Sequence, residues 1–194
     1  MVQPSLTHLG NEIFLVERLL NPSLCDHIIQ IAECAQFGQA GIALEISDPQ
    51  LRNNDQLRLE GSSLLDSTNE LLLGAVAIIQ NLLYQHYGIL FAHVETCSIL
   101  RYQKGQFYKR HIDNLLLPSR LEEAANGIPI RDISVVGYLT EYFEGGETFF
   151  DRQNLKVKPE MGSVLVFPAY YTHPHQSLPV SEGKKYCFTT WLFH

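Results

Sequence analysis

Two stretches of this chain carry side chains that can do chemistry. The first, Tyr102-Gln-Lys-Gly105-Gln-Phe-Tyr108-Lys-Arg-His111-Ile-Asp113-Asn114, places an imidazole two residues before a carboxylate. On an extended strand, side chains at i and i+2 share a face, so His111 and Asp113 project together while Ile112 faces away. The second, Ala169-Tyr-Tyr-Thr-His173-Pro-His175-Gln-Ser-Leu-Pro179-Val180-Ser-Glu-Gly183-Lys184-Lys185-Tyr186, adds two imidazoles and a lysine pair. Two imidazoles and one carboxylate on one face of an octahedral Fe(II) ion leave three positions open, enough for a bidentate co-substrate and O2. His111 and Asp113 supply two such ligands, and His173 and His175 are both candidates for the third.

These groups need elements to hold them. Asn21-Pro22-Ser23 leads into Leu24, Ile28, Ile29 and Ala32, which predicts a capped helix over roughly 23–36. The segment Gly38 to Gly61, with short apolar stretches such as Ile42-Ala43-Leu44, reads as one or two irregular strands and an exposed loop. Leu64, Leu65, Leu71, Leu72, Val76, Ile79, Leu83 and Tyr87 then recur at three- and four-residue intervals until Gly88, predicting a second helix. The two helices are expected to cover one face of a sheet.

From His93 the texture changes to short β-branched and aromatic runs: Val94 to Tyr102, Ile133 to Leu139, Thr148 to Phe150, Ser163 to Phe167 and Tyr186 to Phe193. Helices first and strands afterwards, with an all-β second half, point to a barrel or jelly roll. The strand Ser163 to Phe167 would run to the cavity mouth where the second imidazole stretch begins. Gly145-Gly146 suits a hairpin turn that needs positive φ.

Composition narrows the functions available. A chain of 194 residues, 45% hydrophobic, is long enough for one core and short for two, and no repeat or linker marks a boundary. A single domain is expected, with helical support over about 15–90 and a catalytic core over about 91–194. A net charge of −7 with only 14 Lys and Arg argues against nucleic-acid binding. No apolar run is long enough to cross a bilayer and no secretory leader is visible, so no membrane partner is expected. Cys25, Cys34, Cys97 and Cys187 form no C-x-x-C pair, which fits a reducing cytoplasm.

The ordered motifs resemble the prolyl 4-hydroxylase-type branch of the Fe(II)/2-oxoglutarate dioxygenases. That pattern runs Y-x-x-G-x-x-Y-x-x-H-x-D, a strand ending Y-L, G-G-x-T-x-F, H-x3-P-V-x2-G-x-K and a terminal Trp. Here it is met by Tyr102, Gly105, Tyr108, His111 and Asp113, by Tyr138-Leu139, and by Gly145-Gly146-Glu147-Thr148-Phe149-Phe150. It continues through His175, Pro179, Val180, Gly183 and Lys185 to Trp191, and the likeness extends from about Leu15 to the C-terminus.

The resemblance implies an α+β fold: a double-stranded β-helix (jelly roll) core with N-terminal helices packed on one sheet. It implies His111, Asp113 and His175 as the iron ligands, choosing His175 over His173, and Lys185 as the cation that meets the remote carboxylate of 2-oxoglutarate. Tyr102 would lend its hydroxyl to the same ligand, and Tyr108, Arg131 and Trp191 would line the substrate pocket. Lys184, on the opposite strand face, should point to solvent. The loop Asp48 to Leu59, with Arg52, Asn53, Asn54 and Asp55, matches the place of a mobile lid, a polar solvated loop being the plainer reading.

The implied cofactors are Fe(II), 2-oxoglutarate and O2, with ascorbate as a further candidate. The implied activity is C–H hydroxylation with release of succinate and CO2, first on a prolyl residue of a peptide or protein. The same chemistry on a free amino acid or small metabolite, and a non-catalytic metal- and 2-oxoglutarate-binding module, stand as alternatives.

Overall fold

The computed structural model describes residues 3–40, 48–114, 125, 127, 130–158 and 160–194. The expected stretch Ile42-Ala43-Leu44 lies outside the described residues. Helix α1 (Pro22–Cys34) starts where Asn21 accepts a hydrogen bond from the Leu24 N–H at 2.8 Å, with Pro22 in the first turn where no N–H is needed. Helix α2 (Ser63–Tyr87) is capped by Ser62 and stops at Gly88, whose φ of 71° is left-handed.

The buried stripe of α2 runs through Leu72, Ala75, Val76, Ile79 and Leu83. Leu64 and Leu71, read as members of that stripe, are exposed. Leu71 precedes Leu72 by one residue, about 100° around the helix, and so looks outward when Leu72 looks in.

Among the described residues, nine strands form one antiparallel sheet. Its path runs β1 (Thr7–Gly10), β2 (Ile13–Val16), β12 (Val164–Pro168), β8 (Ile133–Tyr138), β15 (Lys185–Phe193), β6 (Ser98–Tyr102), β4 (Asp55–Arg58) and β3 (Gly38–Gln39), with β5 (His93–Val94) also on β15. A second sheet runs β11 (Leu155–Val157), β10 (Thr148–Phe150), β13 (His175–Ser177) and β7 (Tyr108–His111). A two-stranded sheet joins β14 (Val180–Gly183) to β9 (Phe143–Gly145).

Strand alternation divides the core in two. Phe14, Ile99, Val164, Val166, Tyr186 and Phe188 face α1 and α2. Their neighbours Ile13, Leu100, Leu165, Phe167 and Cys187 face the other way, where they meet Phe150 and Val157 of the second sheet and Val180 of β14. This is the jelly roll with helices on one sheet that the motifs imply.

The hairpin β1–β2 was not expected. Ile13-Phe14-Leu15-Val16 is apolar throughout because both faces of β2 are covered, so it lacks the alternation that marks a half-buried strand. With β4, it shows that residues well before His93 also build the main sheet.

The Gly145-Gly146 pair does take positive φ, 70° and 67°, but it is not a hairpin turn. β9 pairs with β14, while β10 pairs with β11 and β13, so the glycines turn a corner between two sheets. A Cβ on Gly145 would lie 2.3 Å from the Pro179 carbonyl oxygen.

Gly137 in β8 is required for another reason: a Cβ there would stand 1.9 Å from the Phe188 ring, which fills the space opposite α1 and α2. Gly137→Ala should force this buried ring aside and destabilise the fold by about 1–3 kcal/mol. The check is urea unfolding, read as a lower midpoint at unchanged slope; an unchanged midpoint would contradict the packing described.

Candidate metal centre and adjoining pocket

Two cross-strand pairs build the site. His175 in β13 lies opposite His111 in β7, and Lys185 in β15 lies opposite Tyr102 in β6. The first pair belongs to the small sheet and the second to the large one, and they converge in the interior between them.

At one end, His111 Nε2 lies 3.3 Å from one oxygen of Asp113, and His175 Nε2 lies 3.8 Å from the other. One ligand atom from each of the three residues falls within 4.8 Å of the rest, the only such cluster of His, Cys, Asp and Glu among the described residues. A divalent metal with bonds of about 2.1 Å needs neighbouring donors about 3 Å apart, which this spacing approaches. Each imidazole directs Nδ1 at a backbone carbonyl, His111 at Lys109 (2.8 Å) and His175 at His173 (3.2 Å), leaving both Nε2 atoms turned inward.

His173 is buried but turned away. Its Nε2–H donates to the Asn11 carbonyl at 2.6 Å, tying β13 to the turn of the N-terminal hairpin. The structure therefore brings His111, Asp113 and His175 together and leaves His173 outside the cluster.

The charges suit a metal. Burial alone would raise the Asp113 carboxyl, but the nearby imidazoles of His175 and His111 and the Ser134 hydroxyl, 2.6 Å away, hold it well below the usual carboxylate range. For His175, burial and the neighbouring His111 lower the pKa to about 4, so its imidazole is neutral at neutral pH. An ionised carboxylate and a neutral imidazole are the forms that ligate.

Lys185 marks the other end. It is 2% exposed, and its ammonium donates to the Gly146 carbonyl (2.7 Å) and the Ser177 hydroxyl (3.0 Å), both uncharged. The Tyr102 and Tyr138 rings face it at 4.9 and 5.7 Å. Burial pushes its pKa below the ordinary lysine value and raises both phenols, which stay protonated. A buried ammonium with only neutral acceptors is costly unless an anion meets it.

His175 and Ser177 share one face of β13, about 7 Å apart at about 3.3 Å per residue. That is about the length of a five-carbon dicarboxylate. Lys184 is exposed, as its place on the opposite face requires.

The remaining predicted residues surround the triad. Tyr108 stacks on His111, with ring centroids 3.5 Å apart at 12°. Arg131 lies flat over Trp191 at 3.5 Å, pairs with both oxygens of Glu95 (2.6 and 2.8 Å) and donates to the Asp113 carbonyl at 3.2 Å. The Trp191 indole N–H is buried and finds no acceptor among the described residues.

Residues 48–59 are only in part a solvated loop: Pro49, Gln50 and Leu51 are exposed, and the rest is tied into the fold. Asn54 is fully buried, Arg52 bridges to Tyr108, Lys109 N–H donates to the Leu51 carbonyl, and 55–58 form a strand of the main sheet.

Sequence reasoning missed Ser134, Ser177, Glu95 and Arg52, and the aromatic wall of Phe150 and Phe167 against His175. Ser177 could have been found, since it stands two residues after His175 on the same strand face. Ser134 interrupts an apolar run at an inward position, a weaker signal. Glu95 comes from a distant segment and leaves no local mark, and Arg52, noted only as part of the 48–59 loop, gives no sign in sequence of its contact with Tyr108.

Comparison with known proteins follows the same lines. The model of the 2OG-Fe(II) oxygenase superfamily matches residues 97–193. The chain is 27% identical over 191 residues to the "Putative prolyl 4-hydroxylase" of Acanthamoeba polyphaga mimivirus, covering 94% of this chain and 74% of that protein. It is 30% identical over 152 residues to prolyl 4-hydroxylase 13 of Arabidopsis thaliana, covering 67% of this chain and 54% of that one.

In fold it is similar to a Trichoplax adhaerens prolyl hydroxylase solved with a peptide fragment of the hypoxia inducible factor oxygen degradation domain. The TM-score is 0.73 at 21% identity, over 95% of this chain and 84% of that one. Because the family match spans the strand-rich half in which the converging side chains and Lys185 lie, and the relatives are prolyl 4-hydroxylases by description, the chain belongs to the 2OG-Fe(II) oxygenase superfamily, on its prolyl 4-hydroxylase-like side.

Proposed function

We propose that this protein hydroxylates a prolyl residue in a peptide or protein, holding Fe(II) with His111, Asp113 and His175 and 2-oxoglutarate with Lys185. The observation that carries the reading is the buried ammonium of Lys185, whose hydrogen bonds among the described residues go to neutral acceptors, one of them Ser177 on the strand that also carries His175 of a two-imidazole, one-carboxylate cluster. Bound iron supplies activation of O2 coupled to oxidative decarboxylation of 2-oxoglutarate.

The rest is done by the chain. Lys185 and Ser177 orient the far carboxylate, with the neutral Tyr102 hydroxyl in reach of Ser177 as a further donor. Ser134 and the Asp113 main-chain contact to Arg131 fix the carboxylate ligand. Phe150 and Phe167 exclude water behind His175. The exposed edge of Tyr108 and the Trp191 indole are the aromatic groups beside the triad that a substrate would meet. The prolyl target rests on the descriptions of the relatives and on the motif order.

The test supplies Fe(II), 2-oxoglutarate and ascorbate with proline-rich peptides or free proline, and measures succinate and a gain of one oxygen by mass. Peptides are expected to gain oxygen. His111→Ala and Asp113→Ala should abolish succinate formation, and unchanged succinate in either would sink the ligand assignment. Lys185→Ala should raise the 2-oxoglutarate concentration required by about 10-fold or more, as expected when a charge-assisted bond worth about 1.5–3 kcal/mol is lost. Metal binding without turnover on any substrate would instead identify a binding module.

The pH dependence of stability has a defined sign. His175 titrates near 4 in the folded protein against 6.5 for an unperturbed imidazole, so between these values the unfolded chain binds more protons. This contribution is complete above about pH 6.5 and is lost as the pH falls toward 4. The metal-free wild type should therefore lose urea stability across that window more steeply than His175→Gln, and parallel profiles would refute the burial of a neutral imidazole.

A further inference from the structure

Tyr108 and His111 are three residues apart, a spacing that does not place side chains on one face of a regular strand. Here the register slips: His175 pairs with His111 and Ser177 with Tyr108, so three steps along β7 match two along β13. The bulge turns both rings to the same side, where they stack nearly parallel at 3.5 Å.

One face of the Tyr108 ring is thereby filled by His111. The guanidinium carbon of Arg52 lies over the same ring, 4.6 Å from its centroid, and with His111 packed at 3.5 Å on one face, sterics assign Arg52 to the other. Arg52, Tyr108 and His111 thus form three layers ending on a member of the triad.

The outer layer is itself held. Arg52 Nε–H donates to the side-chain oxygen of Asn54 at 2.9 Å, and Asn54, fully buried, donates to the Asp55 carbonyl at 3.0 Å. The backbone at 51–53 is laced to β7: Lys109 N–H donates to the Leu51 carbonyl, Asn53 N–H to the Phe107 carbonyl, and Phe107 N–H to the Asn53 side chain at 2.7 Å.

We infer that Arg52 is a positioning residue for the metal centre, pressing Tyr108 onto His111 so that the imidazole plane directs Nε2 at the shared ion. The hydrogen bond from Nδ1 to the Lys109 carbonyl selects the tautomer, but one contact at the ring edge leaves the plane free to tilt. A ring against its face removes that freedom, and a cation on the far side holds the ring by the attraction of charge for the π-cloud. Partners behind a ligand that orient it this way typically govern metal affinity by about 10–100-fold.

The inference rests on the triad holding a metal, and the experiment separates the two. Co(II) is titrated into the full-length metal-free protein, reading both the dissociation constant and the d–d absorption bands. Wild type should bind one Co(II); failure to do so overturns the metal reading and this inference with it.

Given wild-type binding, Arg52→Ala should bind about 10-fold more weakly, with shifted bands, while Arg52→Lys, which keeps a cation over the ring, stays within about threefold of wild type. Arg52→Ala with wild-type affinity and bands overturns the inference, as does an equal loss in Arg52→Lys. Tyr108→Phe and Tyr108→Leu test the middle layer should Arg52→Ala fail to fold: the first should keep Co(II) binding and the second lose it. Equal binding by these two would overturn the role of the stacked ring.

Discussion

Everything in this molecule follows from having to hold charge between two sheets. A jelly-roll interior is a place for apolar side chains, and most inward positions here obey: Ile13, Leu100, Leu165, Phe167, Phe150 and Val180. Asp113 and Lys185 do not. Each is almost wholly buried, and their hydrogen bonds go to other groups rather than to each other. Their separation creates an anionic end that suits a cation and a cationic end that suits an anion.

The two ends are stabilised differently. The Asp113 carboxylate accepts from the Ser134 hydroxyl and has the His111 and His175 imidazoles close by, so its ionised form is favoured even without a metal. Lys185 has a carbonyl and a hydroxyl, which orient the ammonium without neutralising it. Such an interior is preorganised at one end and, among the described residues, has only neutral hydrogen-bond acceptors at the other, an asymmetry that suits a co-substrate site.

Rigidity around the triad comes from segments far away in the chain. His173 ties β13 to the Asn11 turn, Glu95 and Trp191 clamp Arg131 beneath the Asp113 backbone, and residues 51–53 are laced to β7 beside Tyr108. The bulge between β7 and β13 is the local irregularity that makes the arrangement work, because a regular register would turn Tyr108 away from His111.

Much of this was legible in the order of residues. His111 and Asp113 are two apart, the capped starts of both helices and the glycine stop of α2 are local signals, and the spacing from His175 through Pro179 and Gly183 to Lys185 is read within one short segment. The first of these depend on periodicity and backbone chemistry between near neighbours, which a linear sequence records, while the choice of His175 and Lys185 came from the resemblance of that segment to a family motif. The strand β2 was hidden because burial on both faces erases alternation, and Leu64 and Leu71 were misread because helical spacing alone does not say which apolar residues face inward. Only tertiary structure could choose the corner at Gly145-Gly146 over a hairpin, turn His173 toward Asn11, or set Arg52, Glu95 and Ser134 around the triad. Each of those depends on which distant strands become neighbours, a matter decided by global packing and recorded nowhere in the spacing of the residues themselves.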